Sequence, residues 1–88
     1  MHNDGDVIIA VVNTDYIELD KLLKRENLAA SGGEARYLIS QGLVQVNDVV
    51  ETRKRKKLYA GDVATYNGAA IRVEVQLSSA DDGLAEES

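Results

Sequence analysis

The sequence predicts a small α+β domain in which two short helices precede a β-hairpin and further strands. Apolar residues recur at helical spacing over residues 19–26 and again over residues 31–42. Two turn pairs, Asn47–Asp48 and Asn67–Gly68, separate short strand-like runs, and Val7–Val12 is a run of mostly β-branched residues. With 88 residues in total, the chain has room for one hydrophobic core.

Both predicted helices have apolar stripes and recognisable ends. The stripe residues fall at i, i+3 and i+4, and they are Leu19, Leu22 and Leu23 in the first helix, then Ala35, Leu38 and Ile39 in the second. Asn27 suits the exit from the first helix. Ser31 and Glu34 form a capping-box pattern at the start of the second helix, and Gly42 suits the position just past its end. We therefore expect a helical pair joined by a short loop.

The strands are predicted from β-branched residues and from the turn pairs between them. Val7–Val12 is typical of a buried strand, and Ile71–Leu77 alternates apolar and polar residues. Between these two runs, Leu43–Val46 and Val49–Thr52 form the arms of a hairpin, and Val63–Tyr66 is a further short strand. We expect the N-terminal strand to pair with the C-terminal strand.

The ends of the chain differ from its centre in composition. Residues 1–6 are polar and residues 78–88 are small, polar and acidic, so we expect two disordered tails around one domain at residues 7–77. Residues 16–75 hold all ten Lys and Arg together with eight acids, a net charge of +2, although the whole chain carries −5. The acidity therefore belongs to the ends. The acidic tail either keeps the protein soluble or competes with a polyanion for the basic residues.

Composition argues against several kinds of site. The chain has no Cys and a single His, His2, so we expect neither a disulfide nor a zinc site. No nucleophile–base pair stands out, so we expect no catalysis and no cofactor. The longest apolar run, Val7–Val12, is far shorter than the ~20 residues of a membrane span. We expect a cytoplasmic protein that is monomeric and does not bind membranes.

The strongest functional signal is a run of five adjacent cations, which holds half of all the Lys and Arg in the chain. The run consists of Arg53, Lys54, Arg55, Lys56 and Lys57. It has no apolar face in either a strand or a helix, so it must be exposed. Such a run suits either a solvated segment whose lysines prevent edge-to-edge aggregation or a surface that neutralises the phosphates of a nucleic acid.

The predicted helices supply further candidates. Lys21, Lys24 and Arg25 fall on one face of the first helix, where the alternative is a solvated face with charges that favour the helix C-terminus. Arg36 and Tyr37 lie on the second helix. Each of the four tyrosines either stacks on a base or belongs to the core, and they are Tyr16, Tyr37, Tyr59 and Tyr66. Tyr37 is the favoured stacking candidate because it is next to Arg36 and off the apolar stripe.

The order of these signals resembles the S-four RNA-binding domain, whose core is called the αL motif. The matching residues are Leu19-Asp20-Lys21-Leu22-Leu23, Ser31, Glu34-Ala35-Arg36, Leu38-Ile39, Gly42, Val44-Gln45-Val46-Asn47 and Gly61-Asp62-Val63. Thr14–Ile17, Glu51–Arg55 and Lys57–Val63 extend the resemblance to the small stand-alone bacterial members. The resemblance implies RNA binding without catalysis, and it makes Arg36 a basic contact position.

Three positions depart from the pattern of that family. Gly32 and Tyr37 stand where many members carry a basic residue, and the common Val-Asn-Gly turn is Val46-Asn47-Asp48 here. These departures shift the predicted contact from the helices to residues 53–57. We therefore predict non-catalytic binding of structured RNA, with ribosomal and transfer RNA as candidates and association with the ribosome as a further expectation. A protein–protein adaptor for an acidic partner and a DNA-binding accessory factor remain open alternatives.

Overall fold

The computed structural model describes residues 7–77, and within this range it contains seven strands and two helices. In chain order they are β1 (Val7–Val12), β2 (Ile17–Glu18), α1 (Leu19–Arg25), α2 (Gly32–Ser40), β3 (Val44–Val46), β4 (Val49–Val50), β5 (Lys57–Leu58), β6 (Val63–Tyr66) and β7 (Ala69–Val75). The predicted α+β class, with a helical pair followed by a hairpin, is confirmed. The tails predicted at residues 1–6 and 78–88 lie outside the described residues, and the predicted division into domain and tails stays a prediction.

Five of the strands form one mixed sheet in the order β1-β7-β6-β3-β4. The expected pairing of the N-terminal and C-terminal strands is confirmed: β1 runs parallel to β7, with Val7 beside Ala70 and Val12 beside Val75. The other neighbours in this sheet are antiparallel. A separate two-stranded ladder joins β2 to β5, which no pattern in the sequence predicts.

One face of the large sheet packs against the two helices. The buried core comprises Ala10, Val12, Leu19, Leu22, Leu23, Ala29, Ala35, Leu38, Ile39, Val44, Val46, Leu58, Ala64, Ile71 and Val73. Both predicted helical stripes are therefore in the core, and Leu28 packs against it after α1 ends. Burial of these side chains is the main favourable term in folding. On β7, Arg72 lies between the buried Ile71 and Val73 and so points to the opposite face of the sheet.

Local sequence signals account for the ends of the helices and for the turns. The Ser31 hydroxyl accepts a hydrogen bond from the Glu34 N–H at 3.1 Å, as the capping box predicts. The Glu34 carboxylate accepts from the N–H of Ala30, one residue earlier than Ser31. Asn47 and Asp48 both have positive φ, 52° and 70°, which gives the hairpin turn the twist of its strands. Positive φ also occurs at Asn27, Gly42, Asn67 and Gly68, where the sequence predicts a helix exit, a helix end and a turn.

Four predicted strand boundaries are wrong by one or two residues, and one of them is the start of β7, which lies at Ala69 and not at Ile71. The predicted burial of β1 is also wrong: it is an edge strand in which only Ala10 and Val12 are buried. Leu43 precedes β3 because its N–H bonds to the carbonyl of Leu38 and so closes the end of α2. β4 ends at Val50 rather than Thr52. β7 ends at Val75, opposite the last residue of β1, and Leu77 beyond it is 50% exposed instead of facing the core. Within residues 7–77, no helix has the length and apolarity needed to cross a membrane.

Candidate nucleic-acid interface

The run of cations at residues 53–57, here called the basic loop, is anchored on the N-terminus of α1. The N–H of Leu19 donates to the carbonyl of Lys56 at 2.9 Å, and the N–H of Asp20 donates to the carbonyl of Lys54 at 3.2 Å. The first N–H groups of a helix have no partner within the helix, and here the backbone of the basic loop supplies two. The N–H of Lys56 also bonds to the carbonyl of Arg53. The basic loop is therefore fixed in position although its side chains are largely exposed.

The C-terminal end of the basic loop enters the two-stranded ladder. Lys57 and Leu58 form β5, opposite Glu18 and Ile17 of β2. Leu58 is fully buried in the core, whereas Lys57 is exposed. Because side chains alternate along a strand, burial of Leu58 turns Lys57 outward.

A depression of about 190 Å³ brings the helical candidates and the basic loop together. It is lined by Asp20, Lys21, Lys24, Gly32, Arg36 and Arg55. Four of these six residues are cations, and they come from α1, α2 and the basic loop. The fold therefore joins three segments that are separate in the sequence into one positively charged site.

Asp20 is the buried acid of this depression. It is 3% exposed, and its carboxylate accepts hydrogen bonds from the Arg36 guanidinium at 3.3 Å and from the Lys21 N–H at 2.8 Å. A carboxylate in the first turn also complements the helix dipole. A Cβ on Gly32 would lie 3.2 Å from Arg36 Nη1, so glycine leaves the guanidinium room on this side. Arg36 thus has a structural partner, although 44% of its side chain remains exposed.

A second depression, of about 490 Å³, adjoins the first through Arg55. It is lined by Arg53, Arg55, Lys56, Lys57 and Tyr59. Because Arg55 lines both depressions, they are neighbours on the protein surface. The cations of the two depressions are here called the basic surface: Lys21, Lys24, Arg36, Arg53, Arg55, Lys56 and Lys57.

Some cations of the basic surface already have carboxylate partners. Arg53 donates to both oxygens of Glu51 at 2.9 and 3.0 Å. These hydrogen bonds hold the pKa of the Glu51 carboxyl below its usual value of 4.5, so the pair is ionised at neutral pH. Lys21 lies 3.3 Å from Glu18, and Arg36 is paired with Asp20 as described above.

Five candidate cations have no carboxylate oxygen of residues 7–77 within 4.0 Å. These uncommitted cations are Lys24, Lys54, Arg55, Lys56 and Lys57. Four of the five belong to the basic loop, and Arg55 stands between the two loop residues whose carbonyls cap α1. The basic loop therefore presents the largest concentration of charge without a carboxylate partner among the described residues.

Three candidates line neither depression of the basic surface, and one of them is Lys54, which belongs to the basic loop and caps α1 through its carbonyl. The Arg25 guanidinium donates to the carbonyl of Val11 and lies 3.7 Å from Glu26, and it lines a different depression beside β1. Arg25 therefore does not join Lys21 and Lys24 in the depression that they share, despite the helical spacing. Tyr37 is 60% exposed but lines neither depression of the basic surface.

Two of the four tyrosines that the sequence offers for stacking, Tyr16 and Tyr59, lie beside the basic loop, whereas the favoured Tyr37 does not. Tyr59 is 51% exposed and lines the second depression, and its ring centroid lies 5.8 Å from that of Tyr16. Lys57 Nζ lies 4.8 Å from the centroid of the Tyr16 ring, a cation–π contact. The sequence position of Tyr59, just after the basic run, could have indicated that it lies near the cations. Its contact with Tyr16 could not be predicted, because that contact depends on the β2–β5 ladder.

Comparison with known proteins gives consistent results. A family model described as the S4 domain matches residues 10–74. YbcJ of Escherichia coli (strain K12) is 41% identical over 58 residues, which cover 66% of this chain and 83% of YbcJ. A Bacillus subtilis (strain 168) protein named "Probable ribosome maturation protein RlbA" is 39% identical over 57 residues, which cover 65% of this chain and 80% of that protein.

A solved structure has the same fold. The solution structure of E. coli YbcJ matches with a TM-score of 0.59 and 33% identity, covering 84% of this chain and 95% of YbcJ. That structure is described as revealing an αL motif involved in RNA binding. The resemblance seen in the sequence is thus confirmed by family model, by relatives and by fold.

Proposed function

Since this chain belongs to the S4 domain family, we propose that it binds structured RNA and catalyses no reaction on it. The supporting observation is the basic surface, which gathers cations from α1, α2 and the basic loop around one buried carboxylate. Lys and Arg side chains on a fixed backbone can neutralise RNA phosphates and release their counterions. Few aromatic side chains accompany them, so phosphate positions and RNA shape are the main determinants of binding.

The contact residues fall into two groups. The uncommitted cations have no carboxylate partner to leave among residues 7–77, and they are Lys24, Lys54, Arg55, Lys56 and Lys57. Lys21, Arg36 and Arg53 reach RNA only by sharing or leaving a carboxylate partner. Arg25 and Tyr37 would contact RNA only where it extends beyond the two depressions.

Ribosomal RNA is the first candidate ligand. The name of the B. subtilis relative refers to ribosome maturation, and the YbcJ structure is described in terms of RNA binding. We propose that this chain binds ribosomal RNA, as a cytoplasmic monomer. Transfer RNA is the second candidate, because it too offers structured helices with unpaired segments.

The proposal is tested by replacing Lys24, Arg55 and Lys57 with Ala and measuring the anisotropy of a labelled RNA hairpin. We expect weaker binding and a flatter dependence of log K on log salt. Arg72→Ala is the control for loss of a cation outside the basic surface, because Arg72 is paired with Glu74 on the other face of the sheet. The control should bind like the wild type.

Competition at a fixed salt concentration separates RNA from the alternatives. Unlabelled RNA hairpin should displace the label better than duplex DNA of the same sequence or an acidic protein. Unchanged affinity and salt slope in the folded triple variant would contradict the proposal. Better displacement by DNA would favour the DNA-binding alternative, and better displacement by the acidic protein would favour the adaptor.

A further inference from the structure

We propose that Tyr59 is a stacking site for one unpaired base, next to the phosphate contacts of the basic loop. The inference rests on the proposed function and narrows its ligand class to an RNA duplex that is interrupted or ended by an unpaired nucleotide. The stacking residue is thus Tyr59, which the fold places beside the uncommitted cations, and not Tyr37, which the sequence favours.

The backbone of Tyr59 is held firmly. Leu58, directly before it, is fully buried, and the Tyr59 N–H donates to the Asp62 carboxylate at 2.7 Å. The Asp62 N–H returns a hydrogen bond to the carbonyl of Tyr59 at 3.0 Å, and the same carboxylate accepts from the Asn47 amide. The backbone of Tyr59 is therefore positioned before any ligand arrives, which lowers the entropic cost of binding.

The Tyr59 ring has another aromatic ring as its neighbour, and about half of the residue is exposed. The Tyr16 ring packs against it at an interplanar angle of 47°, and Lys57 Nζ lies over Tyr16. Nevertheless Tyr59 is 51% exposed, whereas Tyr66 is half-buried against the core. An aromatic ring that is held in place yet exposed offers a base a surface on which to stack.

The position of Tyr59 relative to charge distinguishes it from Tyr37. Tyr59 shares its depression with Arg55, Lys56 and Lys57, all of them uncommitted cations. A nucleotide bound there can place its phosphate against the cations and its base against the ring. A base in an intact duplex is already stacked on its neighbours, so only an unpaired base is free to use the ring.

The test compares a hairpin RNA that carries 2-aminopurine at each unpaired position in turn with a fully paired duplex of equal length. In the wild type, binding should quench the fluorescence at one unpaired position. Tyr59→Ala should abolish this quenching and weaken hairpin binding by roughly 5- to 150-fold, while duplex affinity stays unchanged. Tyr59→Phe keeps the ring and should behave like the wild type, and Tyr37→Ala should retain the quenching.

Each contrary result has a separate meaning. Equal weakening of hairpin and duplex by Tyr59→Ala, with the fold intact by circular dichroism, would overturn the stacking site in favour of a structural role. Quenching that persists in Tyr59→Ala, or that is lost in Tyr37→Ala, would also overturn it. Duplex binding and its sensitivity to Arg55→Ala test the proposed function alone, so failure of RNA binding itself is recognised independently of Tyr59.

Discussion

Arg55→Ala should weaken RNA binding more than Arg53→Ala, although both residues belong to the basic loop. Arg53 already neutralises Glu51 through two hydrogen bonds, whereas Arg55 has no carboxylate partner among the described residues. Contact of all five uncommitted cations with phosphates gives a slope of log K against log salt of about −4.5 for a duplex. The Arg55→Ala variant should have a slope smaller in magnitude by about 0.9, and it should bind RNA about eightfold more weakly at 0.1 M salt.

The companion substitution Glu51→Gln should have the opposite effect. It removes the charge that holds Arg53, while the amide oxygen can still accept the hydrogen bond from the Arg53 N–H. The released guanidinium then adds up to one phosphate contact, which steepens the slope by up to about 0.9. The assay is fluorescence anisotropy over a salt series, with Arg72→Ala as the charge-matched control for the two arginine variants and Glu74→Gln as that for Glu51→Gln. Equal flattening by Arg53→Ala and Arg55→Ala would refute the reasoning that an internal ion pair withholds a cation from RNA.

Three further outcomes are expected. Asp20→Ala should lower the free energy of unfolding, measured in urea, by about 1–3 kcal/mol, because the Lys21 N–H and the Arg36 guanidinium lose a buried acceptor. An unchanged midpoint of the urea unfolding curve would mean that the Asp20 carboxylate does not stabilise the helical pair. Leu58→Ala should cost about 2–5 kcal/mol by the same measurement, since Leu58 is fully buried, and a loss well below this range would contradict its place in the core. Deletion of residues 78–88 should tighten RNA binding at low salt if the acidic tail competes for the basic surface, and equal affinity with and without the tail would exclude that competition.

The elements that sequence reasoning predicts well are those with local causes. Ser31 and Glu34 are three positions apart, and the Ser31 hydroxyl accepts the predicted hydrogen bond from the Glu34 N–H. The Glu34 carboxylate accepts from the N–H of Ala30 and not from that of Ser31. Asn47 and Asp48 adopt the positive φ values that their side chains tolerate. The pairing of β1 with β7 was predictable only as the most natural partnership of two apolar strands.

The details that were not predictable depend on contacts between distant parts of the chain. Arg36 and Asp20 are sixteen positions apart, so nothing near Arg36 in the sequence indicates that its charge is shared. The placement of Tyr59 against Tyr16 depends on a ladder of only two residue pairs. Ranking candidate residues by charge and spacing therefore finds the region of the basic surface but misjudges which side chains are available.

Because the basic loop caps α1, its opening and closing can be followed in solution by amide hydrogen exchange. The amide protons of Leu19 and Asp20 are covered by the carbonyls of Lys56 and Lys54, and they become open to exchange with solvent only when that contact breaks. Their hydrogen-exchange rates therefore report how often the basic loop lifts from the helix. An RNA that binds the basic loop in its docked position should slow exchange at these two amides, although neither residue belongs to the loop itself.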